Sequence, residues 1–201
     1  MSSRRRGAPC ALLLALATAL ATAPAAAAPA DSSDPLAALL AQLALRRHGH
    51  VAFTEVQYLA VLDRPLESSG ELLYEAPDHL EKRTLTPRPE TLVLEHGVLS
   101  ATRGQRTRTL ALTAYPQLAP LIESLRATLA GDRTALERAF GVRLDGDLSR
   151  WTLHLTPRDA AAVRLVTEVR IAGEQAQLRS VEVSQADGDR SLLTIGRELP
   201  P

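Results

Sequence analysis

Apolar residues recur along this 201-residue chain with three different spacings, and each spacing marks a different kind of segment. The first is a near-continuous run from Ala8 to Ala21, preceded by Arg4, Arg5 and Arg6 and followed by an Ala/Pro/Thr stretch ending in Ala28, Pro29 and Ala30. Its apolar core, about eleven to fourteen residues, is shorter than the roughly twenty a membrane-spanning helix needs. The small residues ahead of Asp31 suit a signal-peptidase cut. Residues 1–30 are therefore expected to be a signal peptide cut after Ala30, and 31–201 a single domain. The second spacing is helical. Leu36, Leu39, Leu40, Leu43 and Leu45 follow Asp34-Pro35, an aspartate N-cap with proline in the first helical position, and His48-Gly49-His50 ends the segment. The same spacing returns in Leu118, Leu121, Ile122 and Leu125, within a helix expected over 116–129. Gly131-Asp132 ends it before a short helix over 134–139.

The third spacing is strand-like. Runs over 51–62, 70–75, 79–85, 91–95, 98–102 and 105–112 are separated by Asp63-Arg64-Pro65, Ala76-Pro77-Asp78, Pro87-Arg88-Pro89, His96-Gly97 and Arg103-Gly104, the punctuation of an antiparallel meander. After the helices, strands are expected over 151–156, 163–171, 177–185 and 190–196, the last two joined by a tight turn at Asp187-Gly188. In the 163–171 run, Val163, Leu165, Val169 and Ile171 are placed on one face and Arg164, Glu168 and Arg170 on the other, so one side is buried and one is wet. The order is helix, about six strands, two helices, about four strands. A large antiparallel sheet must cover its apolar face, and the amphipathic helices are the available cover. The fold class is mainly β with helices (α+β), a curled antiparallel sheet lidded by helices.

Composition removes several functions. Without residues 1–30 the chain carries 20 basic and 23 acidic residues, a net charge of −3, which suits neither nucleic acid nor an anionic membrane surface. The only cysteine, Cys10, falls in the signal segment, so the mature chain must fold on apolar burial without disulfides. Lys82 is the sole lysine and asparagine is absent, which reads as codon bias towards arginine and alanine. His48, His50 and Glu55 are too few and too ill-spaced for a metal centre, and Asp187, Asp189 and Glu182 fit a polar hairpin better than a calcium loop. Asp145 and Asp147 read as turn formers in Leu-Asp-Gly-Asp, and Arg103, Arg106 and Arg108 as a solvated face or a charged sheet edge. The chain has no Gly-x-Ser-x-Gly elbow, His-Glu-x-x-His pair, phosphate-cradling glycine loop or cysteine nucleophile. No catalytic residue, metal or cofactor is expected, and the protein is expected not to be an enzyme.

Several strings resemble the LolA family, the periplasmic carriers of outer-membrane lipoproteins. They are Phe53-Thr54-Glu55, Gly70-Glu71-Leu72-Leu73-Tyr74 with Pro77 and Leu80, Pro87 and Glu90 followed by Leu92-Val93-Leu94 and Gly97, the stretch from Trp151 to Pro157, and Val181 to Ser191. The resemblance implies a half-open β-barrel whose apolar cavity, closed by helices, receives acyl chains. Cavity-facing candidates are Phe53, Leu72, Tyr74, Leu92, Leu94, Trp151, Leu153 and Leu155, although a dry core uses the same residue types. Leu118, Leu121, Ile122 and Leu125 would form the lid, docked or movable. The implied partners are a lipid or acylated cargo, an inner-membrane donor and an outer-membrane acceptor, with a monomeric carrier in the periplasm and no nucleic acid. Ala76 stands where the lipoprotein carriers have a lid-latching arginine, and the chain stops at Pro201 where they continue. Both point to a divergent branch that handles other acylated envelope products. The alternative is a lipid-binding sensor module of envelope-stress signalling, which uses the same half-barrel.

Overall fold

The computed structural model describes residues 34–111 and 119–200, apart from the side chains of residues 119–121 and 123. Residues 1–33, which include the expected signal segment and Cys10, lie outside this range. Among the described residues, helix α1 (Pro35–Ala44) precedes a meander of β1 (His48–Tyr58), β2 (Leu66–Glu75), β3 (His79–Thr86), β4 (Glu90–Glu95), β5 (Val98–Arg103) and β6 (Arg106–Ala111). Helices α2 (Ala119–Ala130) and α3 (Arg133–Ala139) lead into a second meander: β7 (Phe140–Asp147), β8 (Arg150–Pro157), the short helix α4 (Ala160–Val163), β9 (Val166–Glu174), β10 (Gln177–Gln185) and β11 (Arg190–Glu198). All eleven strands form one antiparallel sheet in the order β6-β5-β4-β3-β2-β1-β11-β10-β9-β8-β7. The first and last strands pair at its centre, and the sheet is not closed into a barrel: β6 and β7 are its two edges.

Strand alternation gives the sheet two different faces. The outer face carries ion pairs within and between strands. Glu168 contacts His154 and Arg170, and Glu182 contacts Arg170 and Arg190. Burial alone would raise the Glu168 pKa, but its hydrogen bond to His154 and the charge of Arg170 outweigh that and hold it low. The inner face is apolar, and its β7–β9 half is a dry core. Leu39, Leu40 and Leu43 of α1 and Leu136 of α3 pack there against Phe140, Trp151, Leu153, Leu155, Val169 and Ile171, all buried. The Trp151 indole lies on the bare backbone of Gly173, where an added Cβ would meet the ring, and its N–H donates to the Gln175 carbonyl at 2.9 Å.

Three departures from the sequence expectation have local causes. β1 runs from His48 to Tyr58 instead of 51–62, because the chain leaves the sheet where the Ala60 N–H donates to the Asp189 carboxylate, 2.7 Å away in the β10–β11 turn. Asp145, expected with Asp147 to form a turn, lies within strand β7, paired with Thr152, and only Asp147 caps the turn, accepting the Ser149 N–H at 2.8 Å. Val163 and Leu165 are not on the buried face of β9. They are 41% and 39% exposed, because Asp159 caps α4 by accepting from Ala161 and Ala162, both at 2.9 Å, and delays the strand to Val166.

The helix ends follow the sequence closely. Asp34 caps α1, accepting from the Leu36 and Ala37 N–H groups at 3.0 and 3.2 Å, and pairs with Arg133 of α3. Gly131 ends α2 in the left-handed region at φ 69°, with the Asp132 N–H donating back to the Ala127 carbonyl at 2.8 Å, a Schellman closure. A Cβ on Gly131 would also stand 2.5 Å from the Leu40 carbonyl oxygen of α1. Gly131→Ala should therefore cost about 2–3 kcal/mol, strain and clash together, read as a lower urea midpoint with an unchanged slope.

The Arg133 guanidinium and the α1 amides hold the Asp34 carboxyl below the usual carboxylate range. Its stabilising contribution is complete above that range and is lost as pH falls through the lowered folded value. Asp34→Ala should lower the melting temperature at neutral pH, and the gap from the parent protein should narrow below about pH 4.

Candidate functional site

The other half of the inner face is not filled. Between β5 and β9 the strands surround an apolar cavity of about 410 Å³, roofed by Ile122, Leu125 and Leu129 of α2. A flat sheet would set β5 and β9 about 34 Å apart, seven strand spacings. That Leu99 of β5 and Val169 of β9 line one space of this size requires the sheet to curl. Leu72, Leu80, Leu92 and Leu193 line it and are only half-buried, while Leu153 and Leu155, on the same face of the sheet, are fully buried in the dry core, and Val169 and Ile171 stand between the two regions. Tyr74 also lines the cavity. Burial pushes its phenol pKa up, against the opposing charges of Arg47 and Arg126.

An ion pair interrupts the apolar wall away from its open rim. Glu55 of β1, 7% exposed, and Lys82 of β3 both line the cavity and form an ion pair. Glu55 lies opposite Ser68 and Lys82 opposite Leu72, four residues apart on β2, so the lysine must reach diagonally over β2. Gly70 lies between those positions on the same face, and because a Cβ there would collide with the Arg83 carbonyl oxygen, the missing side chain lets the β3 backbone close on β2. The reach places the Lys82 ammonium 5.1 Å from the centre of the Phe53 ring, and Ser68 adds a hydroxyl donor to Glu55 at 3.2 Å.

The family model "Outer membrane lipoprotein carrier protein LolA-like" matches residues 25–196 of this chain. The chain belongs to that family. No curated protein matches it in sequence. Among solved structures, the LolA-like chain is similar to a LolA superfamily protein from Nitrosomonas europaea, with 12% identity, 84% of this chain and 96% of the other covered, and a TM-score of 0.45. It is also similar to a DUF1329 family protein from Desulfovibrio piger, at 9% identity, 83% and 93% coverage and a TM-score of 0.43. The Pseudomonas aeruginosa MucA/MucB complex is a third, at 13% identity and a TM-score of 0.46. That match covers 83% of this chain but 57% of the other. All three are loose likenesses, and the sheet order described above stands without them.

Of the residues expected at a cavity in the LolA-like chain, Leu72, Tyr74, Leu92 and Leu94 line the one present. Trp151, Leu153 and Leu155 are packed instead into the dry core under α1 and α3, and Phe53 is buried beneath Lys82. Of the lid set, Ile122 and Leu125 face the cavity, while Leu118 and the side chain of Leu121 lie outside the described residues. His50 and Glu55 sit on opposite faces of β1. His50 meets Glu71 at 3.2 Å and the Pro200 carbonyl at 2.7 Å on the outside, so strand alternation separates it from Glu55. Among the described residues no cluster of histidine and carboxylate groups could hold a metal ion. Glu182 is engaged by arginines, Asp187 and Asp189 serve the β10–β11 turn and its neighbour loop, and Arg106 and Arg108 lie exposed on edge strand β6.

Sequence reasoning did not single out the Glu55–Lys82 pair. Its signal is nonetheless present, since Val51-x-Phe53-x-Glu55 and Leu80-x-Lys82 each put a charge where the strand period calls for an inward apolar residue. Lys82→Met leaves Glu55 in an apolar wall without its counter-charge and should destabilise the protein by about 2–3 kcal/mol in denaturant melts. The neutral double variant Glu55→Gln/Lys82→Met should recover most of that loss.

Proposed function

We propose that the LolA-like chain is a periplasmic carrier that holds a lipid or acyl chain in the cavity between the curled sheet and α2. In this reading residues 1–30 are a signal peptide cut after Ala30, and residues 31–201 act as one monomeric carrier domain. The observation that carries the reading is the unfilled half of the inner face. A folded chain normally closes its apolar surface on itself, because voids forfeit packing energy. Here leucines at the middle of a large sheet stay half-buried around 410 Å³ of space. That volume lies in the range of ligand sites, and its lining suits hydrocarbon. Moving each methylene out of water contributes about 0.8 kcal/mol, so a sixteen-carbon chain could supply on the order of 10 kcal/mol before ordering costs. Carriage of this kind requires a cavity and a cover, and no bond making. The helix α2 is that cover in this reading, handing cargo from an inner-membrane donor to an outer-membrane acceptor as it lifts.

Native mass spectrometry of the protein isolated from its own cell envelope should show a bound acyl species released by mild activation. Protein that is ligand-free in that measurement, and that also fails to bind a fluorescent fatty acid, would refute the carrier reading.

A further inference from the structure

An alkyl chain needs nothing from its cavity but apolar wall, yet this wall holds an ion pair. Desolvating two opposite charges is costly unless the pair serves a purpose or is fully compensated by other contacts. The Lys82 ammonium has three N–H donors. Among the described residues its contacts are Glu55 and the face of Phe53, so donors remain for a molecule in the cavity that Lys82 lines. Of the other ion-pairing groups at the lining, Arg46, Glu198 and Arg179 are 32%, 64% and 47% exposed at the side chain and belong to its open rim, and Glu81 alternates with Lys82 on β3 and turns its carboxylate to Arg83 on the outer face, whereas Glu55 and Lys82 are 9% and 25% exposed. Glu55–Lys82 is therefore the ion pair of the inner wall.

We propose that Lys82, positioned by Glu55, donates a hydrogen bond to the neutral carbonyl oxygen of an esterified acyl chain, so that the cavity selects acyl esters over free carboxylates and over ether-linked chains. The inference rests on the acyl-carrier reading and adds to it the chemical class of the cargo. Charge balance decides between the candidates. Glu55 and Lys82 cancel, so a carbonyl can accept an N–H with no change in net charge, and a hydrogen bond from an ionised donor is stronger than one between neutral groups. A carboxylate would bring a second negative charge beside Glu55 into an apolar enclosure, which both repulsion and desolvation oppose. An ether oxygen is a weaker acceptor than a carbonyl, so an ether-linked chain gains less from Lys82. Glu55 does not touch the cargo in this arrangement. It holds the ammonium over Phe53 and supplies the counter-charge that makes a neutral partner the best one.

The test is displacement of Nile red from the mature protein at neutral pH by four ligands of matched chain length: dipalmitoylglycerol, its dihexadecyl ether analogue, palmitate and methyl palmitate. The diester should displace the dye at about tenfold lower concentration than the diether, and methyl palmitate should outcompete palmitate. In Glu55→Gln/Lys82→Met the ester-to-ether preference should fall to within about twofold while diether binding is retained, which also reports that the variant is folded. Equal displacement by ester and ether in the parent protein, an ester preference that survives in the double variant, or tighter binding of palmitate than of its methyl ester would each overturn the role of Lys82 and leave the carrier reading standing. Failure of the parent protein to take up Nile red or any of the lipids would instead remove the carrier reading and this inference with it.

Discussion

The structure depends on one topological constraint: an open eleven-stranded sheet whose edges, β6 and β7, are consecutive strands of the chain. Consecutive antiparallel strands usually pair through a short turn, but here the two are at opposite ends of the sheet because β1 and β11 pair at its centre. The chain must therefore pass from one edge to the other. It does so through α2 and α3, and this connection sets two helices against the inner face. Arg106 and Arg108 on β6, and Asp145 and Asp147 on β7, leave both edges polar, which discourages further strands from adding.

Having few helices and many strands, the fold cannot cover its apolar face evenly. α1 and α3 press Leu39, Leu40, Leu43 and Leu136 onto β7–β9 with no space left, and α2 bridges the remainder. Where α2 meets α1 its surface is small and self-satisfied. Ala127 and Thr128 are fully buried, the Thr128 hydroxyl donates to the Ser124 carbonyl at 2.7 Å, and Gly131 lets the α1 backbone approach. Where α2 meets the cavity it offers Ile122, Leu125 and Leu129. One helix thus serves two purposes, set against α1 by small residues and roofing a void with branched ones.

Most of this architecture was legible in the residues. Turn chemistry located the β10–β11 hairpin, the Gly131-Asp132 junction and the Asp34 cap, because these depend on interactions within a few positions of the chain. What was not legible depends on long-range pairing. β7 contains Gly141, Gly146 and two aspartates and forms a strand only because β8 supplies partners along its whole length. The division of the inner face was also hidden, since Leu153 in the dry core and Leu92 at the cavity are the same residue in the same period, and only the placement of α1 and α3 tells them apart. The Glu55–Lys82 pair was obscured for a related reason. Its partners are 27 residues apart and meet diagonally across β2, past a glycine that looks in the sequence like an ordinary turn signal.

A sheet that keeps a void forgoes the packing energy that a filled core would supply, so the stability of this domain must come from elsewhere. The dry core and the outer-face charge ladder are intrinsic sources. Occupancy is the third, because a ligand that binds only the folded state adds stability in proportion to the logarithm of its concentration over its dissociation constant. The Glu55–Lys82 pair changes the character of that third source. In a wall of leucine alone, any hydrocarbon would stabilise the fold alike, and the protein would have no means of preferring one apolar molecule to another. A fixed donor in a largely apolar wall makes affinity depend on where an acceptor sits along a bound molecule. In the role proposed for Lys82, that donor would let a greasy space discriminate, at the cost of a charge pair that contributes little to the stability of the empty fold.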